Sequence, residues 1–357
     1  MITQDEQLKP GKHFPENVTP PSREDVLSEL AEYGFVGQGE VRLIDTSHDA
    51  DDIRLNYIID NKWVLRYCNA PDMTETRLRE LNRLIGRYVD FGLRCPAFLT
   101  DKTGKFFHQW HELTCYLSEY VDLPTAEDLP MVEKETLWRE VLDSVAGFAE
   151  RYRNVDLSDT MGMYSLFDLA PFDKPIGIDE KQQNFNSLCD ALHKMNETAL
   201  AGRLEAKHTQ VREKLRAVYR ELPRCVFQAD ENMSNVLIDE KHHMAGGIDF
   251  NLAGTEVIVN QFANLGGGFD ALIKEPIGAK KRLDDARESY RIYQERMLTL
   301  YHASELEKQA MEWYSWIALV AGWPQVCFFL DGLKDDGLRG EILELLALLA
   351  KLPADGE

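Results

Sequence analysis

A change of texture partway along the chain constrains its fold more than any single motif does. From Glu40 to Cys68 the segments VRLID, RLNYIID and KWVLRYC alternate or run in β-branched and aromatic residues, with breaks at TSHDAD and DNK. That pattern predicts short strands joined by turns. After Val121 the chain reads almost wholly as helix, with candidates at about 126–153, 180–200, 203–222, 279–302, 304–322 and 338–351. One stretch interrupts them, CVFQADENMSNVLIDEKHHMAGGIDFN at residues 225–251. It is expected to hold two short strands, Val236–Ile238 and Gly247–Asp249, with polar side chains between and after them. A β-rich first part followed by a helical part with one hairpin full of Asp and Asn is an α+β organisation. The hairpin is where chemistry is expected, because loops held by rigid elements carry sites.

The remaining segments fit that plan. Residues 22–34 begin with a Ser cap and an acidic first turn and stop at Gly34, which predicts a short helix. Residues 74–91 predict a second helix with Leu78, Leu81, Leu84 and Ile85 on one face, ended by Gly92 to Pro96. AFLTDKTGKFFHQW reads as a hairpin around Lys102–Gly104, followed by the strand LTCYLSEYV. Gly266-Gly267-Gly268 follows no strand and opens no capped helix, so it reads as a helix break. Trp313, Tyr314, Trp316 and Trp323 read as core between the C-terminal helices. A length of 357 residues suits about two domains.

Composition narrows the partners. Lys and Arg total 40 against 61 Asp and Glu, a formal net charge of −21. A surface this acidic repels phosphate backbones and anionic lipid, so neither nucleic acid nor membrane is an expected partner. No run of about 18 apolar residues predicts a transmembrane helix. The N-terminus is polar and Pro-interrupted, without the apolar core of a signal peptide. The six cysteines (Cys68, Cys95, Cys115, Cys189, Cys225 and Cys327) form no CxxC pair, and His242–His243 stands alone. Reduced buried thiols in a cytoplasmic protein are expected. No feature of the sequence signals an oligomeric state.

In the hairpin, Asp230 precedes Asn235 by five positions and Asp249 closes the next strand. This places two carboxylates and one carboxamide at neighbouring strand ends. Oxygen donors of this kind suit Mg²⁺, which takes one or two carboxylates plus phosphate oxygens. An acid the metal does not need can then take or orient a hydroxyl proton. Asp and Asn alone are common turn residues. The spacing gains weight from the later Asp-Phe, which phosphoryl-transfer sites share.

These residues resemble the aminoglycoside phosphotransferase and choline-kinase-like family, the small-molecule branch of the protein-kinase fold. The family motif is usually His-Gly-Asp, then Asn five positions after the Asp, then Ile-Asp-Phe. Here it reads Gln228-Ala229-Asp230 with Asn235, then Ile248-Asp249-Phe250. The resemblance implies a bilobal protein-kinase-like fold. Residues 1–120 would form a small antiparallel sheet lobe with one helix, after a polar N-terminal extension. Residues 121–357 would form a mainly helical lobe with the catalytic hairpin 225–251 and the acceptor pocket. It implies that Asp230 is the catalytic base or hydroxyl-orienting residue and that Asn235 and Asp249 hold Mg²⁺. Val64-Leu65-Arg66 matches the family's strand cation, so Arg66 would hold the α and β phosphates of a bound nucleotide. Glu80 would pair with it, with Glu75 the second choice. The loop Asp45–Arg54 would cover the phosphates without the glycine-rich pattern of protein kinases. LSEYV resembles the hinge, where the carbonyl of Ser118 and the amide of Tyr120 would read the adenine edge.

The chain departs from the family at three places. Gln228-Ala229 replaces His-Gly, Arg66 offers a planar fork where Lys gives a point charge, and Asn260-Gln261-Phe262-Ala263 stands where Asp-Leu-Ala is usual. The expected function is transfer of the ATP or GTP γ-phosphate to a hydroxyl of a small acceptor, with Mg²⁺ as cofactor. Residues 121–179, which follow the hinge, carry 13 acidic against 5 basic side chains. That bias beside the expected acceptor side favours a cationic acceptor, such as an aminoglycoside or an amino alcohol. The alternative is a pseudokinase-like nucleotide-binding or interaction module without turnover, which the loss of His-Gly motivates. A protein kinase is disfavoured, since no Ala-Pro-Glu motif or activation-loop-sized segment follows Asp249.

Overall fold

Tight antiparallel pairing builds the β-rich part. β1 (Val41–Asp45), β2 (Arg54–Ile59) and β3 (Trp63–Cys68) form a meander. Between β2 and β3, Asp60 and Asn61 take φ of 51° and 49°, the doubly left-handed centre of a β-turn that Lys62 N–H closes onto the Ile59 carbonyl at 3.0 Å. β3 pairs with β6 (Leu113–Glu119), and β4 (Phe98–Leu99) lies on the far side of β6. β5 (Phe107–Trp110) also pairs with β6. The hairpin expected around Lys102–Gly104 therefore closes only at its tip, where Asp101 N–H donates to the Lys105 carbonyl at 2.8 Å, and its arms do not pair with each other. Its two arms add in line to one edge of β6, at Phe98↔Ser118 and Phe107↔Tyr116, and residues 101–105 loop out between them. The seven-residue β6 is long enough to receive both.

The structure, a computed structural model, describes residues 14–15, 18–173, 177–269 and 275–353, so most of the expected N-terminal extension lies outside the described residues. The described residues divide into two compact units, residues up to 130 with 231–251, and 131–230 with 252 onward. The sequence placed the whole hairpin with the helices. Instead, β8 (Val236–Ile238) and β9 (Met244–Gly247) are tied to the first unit. Arg94 bonds to Ala245 and Gly247, Ala126 to Val236, and Ile238 to Pro124, all through backbone groups at 2.9–3.1 Å.

In the first unit, α1 (Arg23–Glu32) starts at a capping box between Ser22 and Asp25 and covers one face of the sheet. Val26, Leu30 and Tyr33 pack there with Leu55, Tyr57, Ile59, Leu65, Tyr67, Leu113, Cys115 and Leu117. α2 (Glu75–Phe91) is capped by Thr74 and ends at Gly92, whose φ of 106° is the left-handed stop that favours glycine.

The second unit holds α3 (Met131–Tyr152), α4 (Glu180–Lys194), α5 (Thr198–Val218), α7 (Ala279–Leu298), α8 (Glu305–Ala321) and α10 (Arg339–Lys351). It also holds a two-stranded ribbon, β7 (Arg224–Phe227) with β10 (Gly254–Val257). Two helices there are not announced by the sequence, α6 (Ile258–Leu265) and α9 (Trp323–Lys334). Trp313, Tyr314 and Trp316 are core as expected, but Trp323 is 60% exposed because it opens α9 at the surface. The stretch Glu305–Lys334 is long and apolar enough to cross a membrane by length and composition, but it is two successive helices and mostly buried. All six cysteines are free thiols, five of them buried.

Candidate active site

Strand alternation divides the sheet of the first unit between two tasks. Odd-numbered residues of β2, β3 and β6 enter the core under α1. Even-numbered residues face the other way, and the register lines them up in two rows. One row runs Arg42, Ile58, Val64, Ser118, and the other runs Ile44, Asn56, Arg66, Tyr116. The first row is apolar at its centre, as suits a flat base. The second brings a cation beside hydrogen-bonding groups, as suits phosphates.

Tyr116, the cross-strand neighbour of Arg66, and the Asp249 carboxylate both support its positive charge. Burial works against the Arg66 charge, but Tyr116 and Asp249 outweigh it, so the guanidinium is held as a cation. Its Nε is buried without a hydrogen-bond partner. Burial pushes the Tyr116 phenol up, so it stays neutral beside that cation. The expected ion pair between Arg66 and Glu80 is absent among the described residues. Glu80 lies one helical turn from Arg77 on α2 and acts on that cation instead.

The hinge differs by one residue from the sequence reading. Tyr120 N–H donates to the Lys62 carbonyl at 2.8 Å, continuing the β3–β6 ladder, so that amide is not open to a base edge. Ser118 is 1% exposed and lies inside the ladder opposite both Val64 and Phe98, its hydroxyl without a partner. Backbone groups alternate sides along an antiparallel strand. Even positions of β6 turn to β3, while Glu119 N–H turns the other way to Ala97 at 2.9 Å. The outward pair is therefore the carbonyl of Glu119 and the amide of Val121. The Tyr120 side chain lies against Arg42, which donates to its hydroxyl at 3.1 Å.

The hairpin sets the oxygen donors. Asn235 is 8% exposed, and its carbonyl accepts from Ile248 N–H at 2.9 Å, next to the Val236↔Gly247 pair. β9 ends before Asp249, earlier than expected, and Asp249 takes a left-handed φ of 57°. Its Oδ1 accepts from Asn251 N–H at 3.3 Å. Phe250 is buried, with its ring edge-to-face on Tyr88 of α2 at 5.5 Å. Asp230 ends the preceding stretch of the second unit. There the replacement for the family's His does structural work, since the Gln228 side-chain carbonyl accepts Asp230 N–H at 2.8 Å. Ala229 sits between them at φ 69°, a conformation glycine adopts freely.

The donor set fits a hard cation. No group of three or more His, Cys, Asp or Glu among the described residues is arranged for a metal. Asn235 and Asp249 offer one carboxamide and one carboxylate, the sparse set that suits Mg²⁺ when phosphate and water complete its shell. Three residues escaped the sequence reading: Tyr116, Arg77 and the bonding role of Gln228. Arg77 had a signal, since it shares a stripe with Leu81, Leu84 and Tyr88, and a cation there is out of pattern.

No protein-family model matches this sequence, and no curated protein matches it. Solved structures do match in fold. A structure described as amicoumacin kinase hAmiN in complex with AMP-PNP, Ca²⁺ and Ami is similar over 94% of this chain and 95% of that one, with TM-score 0.54 and 8% identity. An aminoglycoside phosphotransferase from Alicyclobacillus acidocaldarius subsp. acidocaldarius DSM 446 is similar over 94% of this chain and 97% of that one, with TM-score 0.51 and 12% identity. The chain thus has the α+β, protein-kinase-like fold of the aminoglycoside phosphotransferases.

Proposed function

We propose that this protein is a small-molecule kinase that moves the γ-phosphate of ATP, or GTP, to a hydroxyl of a cationic acceptor such as an aminoglycoside or amino alcohol. One observation carries the reading. Arg66, Asn235 and Asp249 belong to one compact unit, where the Asp249 carboxylate supports the Arg66 charge, and Asp230 lies immediately before that unit's hairpin with its amide fastened by Gln228. The sheet unit takes the nucleotide and the helical unit the acceptor. The base lies over Ile58 and Val64, with its edge read by the Glu119 carbonyl and the Val121 amide. Arg66 holds the α and β phosphates. Asn235 and Asp249 would hold Mg²⁺, which would supply charge neutralisation to the phosphate oxygens.

Asp230 orients the acceptor hydroxyl and takes its proton as the oxygen bonds to the γ-phosphorus. The bond from that phosphorus to the β-phosphate oxygen breaks, and the nucleoside diphosphate leaves. Most of the rate then comes from positioning and charge placement. Incubation with Mg-ATP and a panel of aminoglycosides and amino alcohols tests this. Transfer to at least one acceptor is expected, and Asp230→Asn lowers it about 10²–10⁴-fold with nucleotide affinity kept. Tight ATP binding without transfer to any acceptor would refute it and favour a nucleotide-binding module.

A further inference from the structure

Arg77 occupies a position that elementary electrostatics disfavours. It is the third residue of the first turn of α2, its own amide bonded to the Thr74 cap at 3.2 Å. The helix dipole there repels a cation. It is also only 5% exposed, and burial pulls its pKa down against the support of Asp72 and Glu80. A buried cation kept at a helix N-terminus needs a compensating contact. Its Nη2 donates to the carbonyl of Asn251 at 2.9 Å. The same residue's N–H donates to Oδ1 of Asp249 at 3.3 Å. One residue therefore joins the two side chains, with Arg77 gripping its carbonyl and the Asp249 carboxylate gripped by its amide. Phe250, between them, is anchored on Tyr88, so α2 holds this segment at two points.

We infer that Arg77 is a positioning residue that sets the Asp249 carboxylate for a divalent cation through Asn251. The inference rests on the metal role proposed above for Asp249. It also gives Glu80 a different use from the one the sequence suggested, as support for Arg77.

The test is the Mg²⁺ dependence of nucleotide binding, read by titrating a fluorescent ATP analogue with and without Mg²⁺ alongside thermal unfolding. Arg77→Met should raise the half-saturating Mg²⁺ concentration about tenfold, the lower end of what removing a residue behind a metal ligand costs. Affinity in the presence of a chelator should be unchanged. Arg77→Lys, which keeps the charge and one donor, should recover part of the loss and supplies the measurement if the Met variant does not fold. In an Asp249→Ala background, Arg77→Met should add nothing, since its effect passes through that carboxylate. Unchanged Mg²⁺ dependence in either folded single variant, or an equal effect in the Asp249→Ala background, overturns the inference. Wild-type Mg²⁺-dependent binding without phosphate transfer would refute the kinase reading alone. Wild-type transfer with normal Mg²⁺ dependence in Arg77→Met would refute this inference alone.

Discussion

Two adjacent glycines allow a test of how tightly the hairpin is placed. A Cβ added at Gly246 would lie 1.9 Å from the Arg94 carbonyl oxygen, whereas one at Gly247 would lie 3.6 Å from the nearest atom, the Asn235 carbonyl. The first is impossible without moving backbone, and the second is ordinary contact. Relieving it means separating β9 from the segment after α2, which breaks Arg94 N–H to Ala245 at 2.9 Å and Gly247 N–H to Arg94 at 3.1 Å. Leaving such backbone groups unsatisfied costs about 1–3 kcal/mol for each bond broken, so Gly246→Ala should cost about 2–6 kcal/mol. For a unit of this size that is a fall of roughly 6–18 °C in melting temperature, by the size scaling of unfolding entropy. Gly247→Ala should move it by under about 2 °C. Thermal unfolding of the pair reads this directly, and Mg-ATP titration reads the displacement of Asn235 and Asp249. Equal melting temperatures for the two variants would refute the close approach, and with it the placement of the β8–β9 hairpin.

Other consequences can be measured independently. Val121→Pro removes the amide assigned to the base edge and should weaken ATP about tenfold, the worth of one such hydrogen bond; unchanged affinity would return the hinge to another pair of groups. Ala229→Gly relieves a left-handed alanine worth about 1–2 kcal/mol and loses about 0.5–1 kcal/mol to chain entropy, so denaturant unfolding should show a small net gain. His108 lies between Glu29 and Asp101; burial lowers its pKa, but those carboxylates outweigh it, and the result is raised. Its stabilising share is therefore fully present below the unfolded value of about 6.5 and fades as pH climbs through the higher folded value. The stability gap between wild type and His108→Gln should shrink from pH 6 to pH 9, and a constant gap would show that the imidazole charge is not involved.

Legibility in the sequence followed the range of the interactions concerned. α1 and α2 were readable because their caps, Ser22, Thr74 and Gly92, act within one turn. The position of Arg66 on β3, and of Asn235 and Asp249 at the two ends of the β8–β9 hairpin, was readable because that spacing is local. The hinge atoms were not, since which side of β6 faces the ladder depends on its register with β3, a strand dozens of residues earlier that no short turn joins to it. Glu80's partner was hidden for a similar reason, because helical phase brings it to Arg77 and no pattern in β3 reports that. α9 escaped because only Gly322 separates it from α8, and both are apolar enough to read as one run. α6 escaped because Ile258 and Val259 open it directly after β10 and look like more strand.

The discontinuity of the first unit bears on the order in which the protein can be made. Its sheet and α2 are encoded by residue 130, yet residues 231–251 belong to the same unit. During synthesis the sheet must therefore wait while the 100 residues between are added. Over that interval Arg94, Pro124 and Ala126 lack the backbone partners that β8 and β9 later supply. At about 5–20 residues per second the wait lasts several seconds, far longer than hairpin closure. The nascent first unit thus stays unfinished, with open backbone groups, until well over half the chain has left the ribosome.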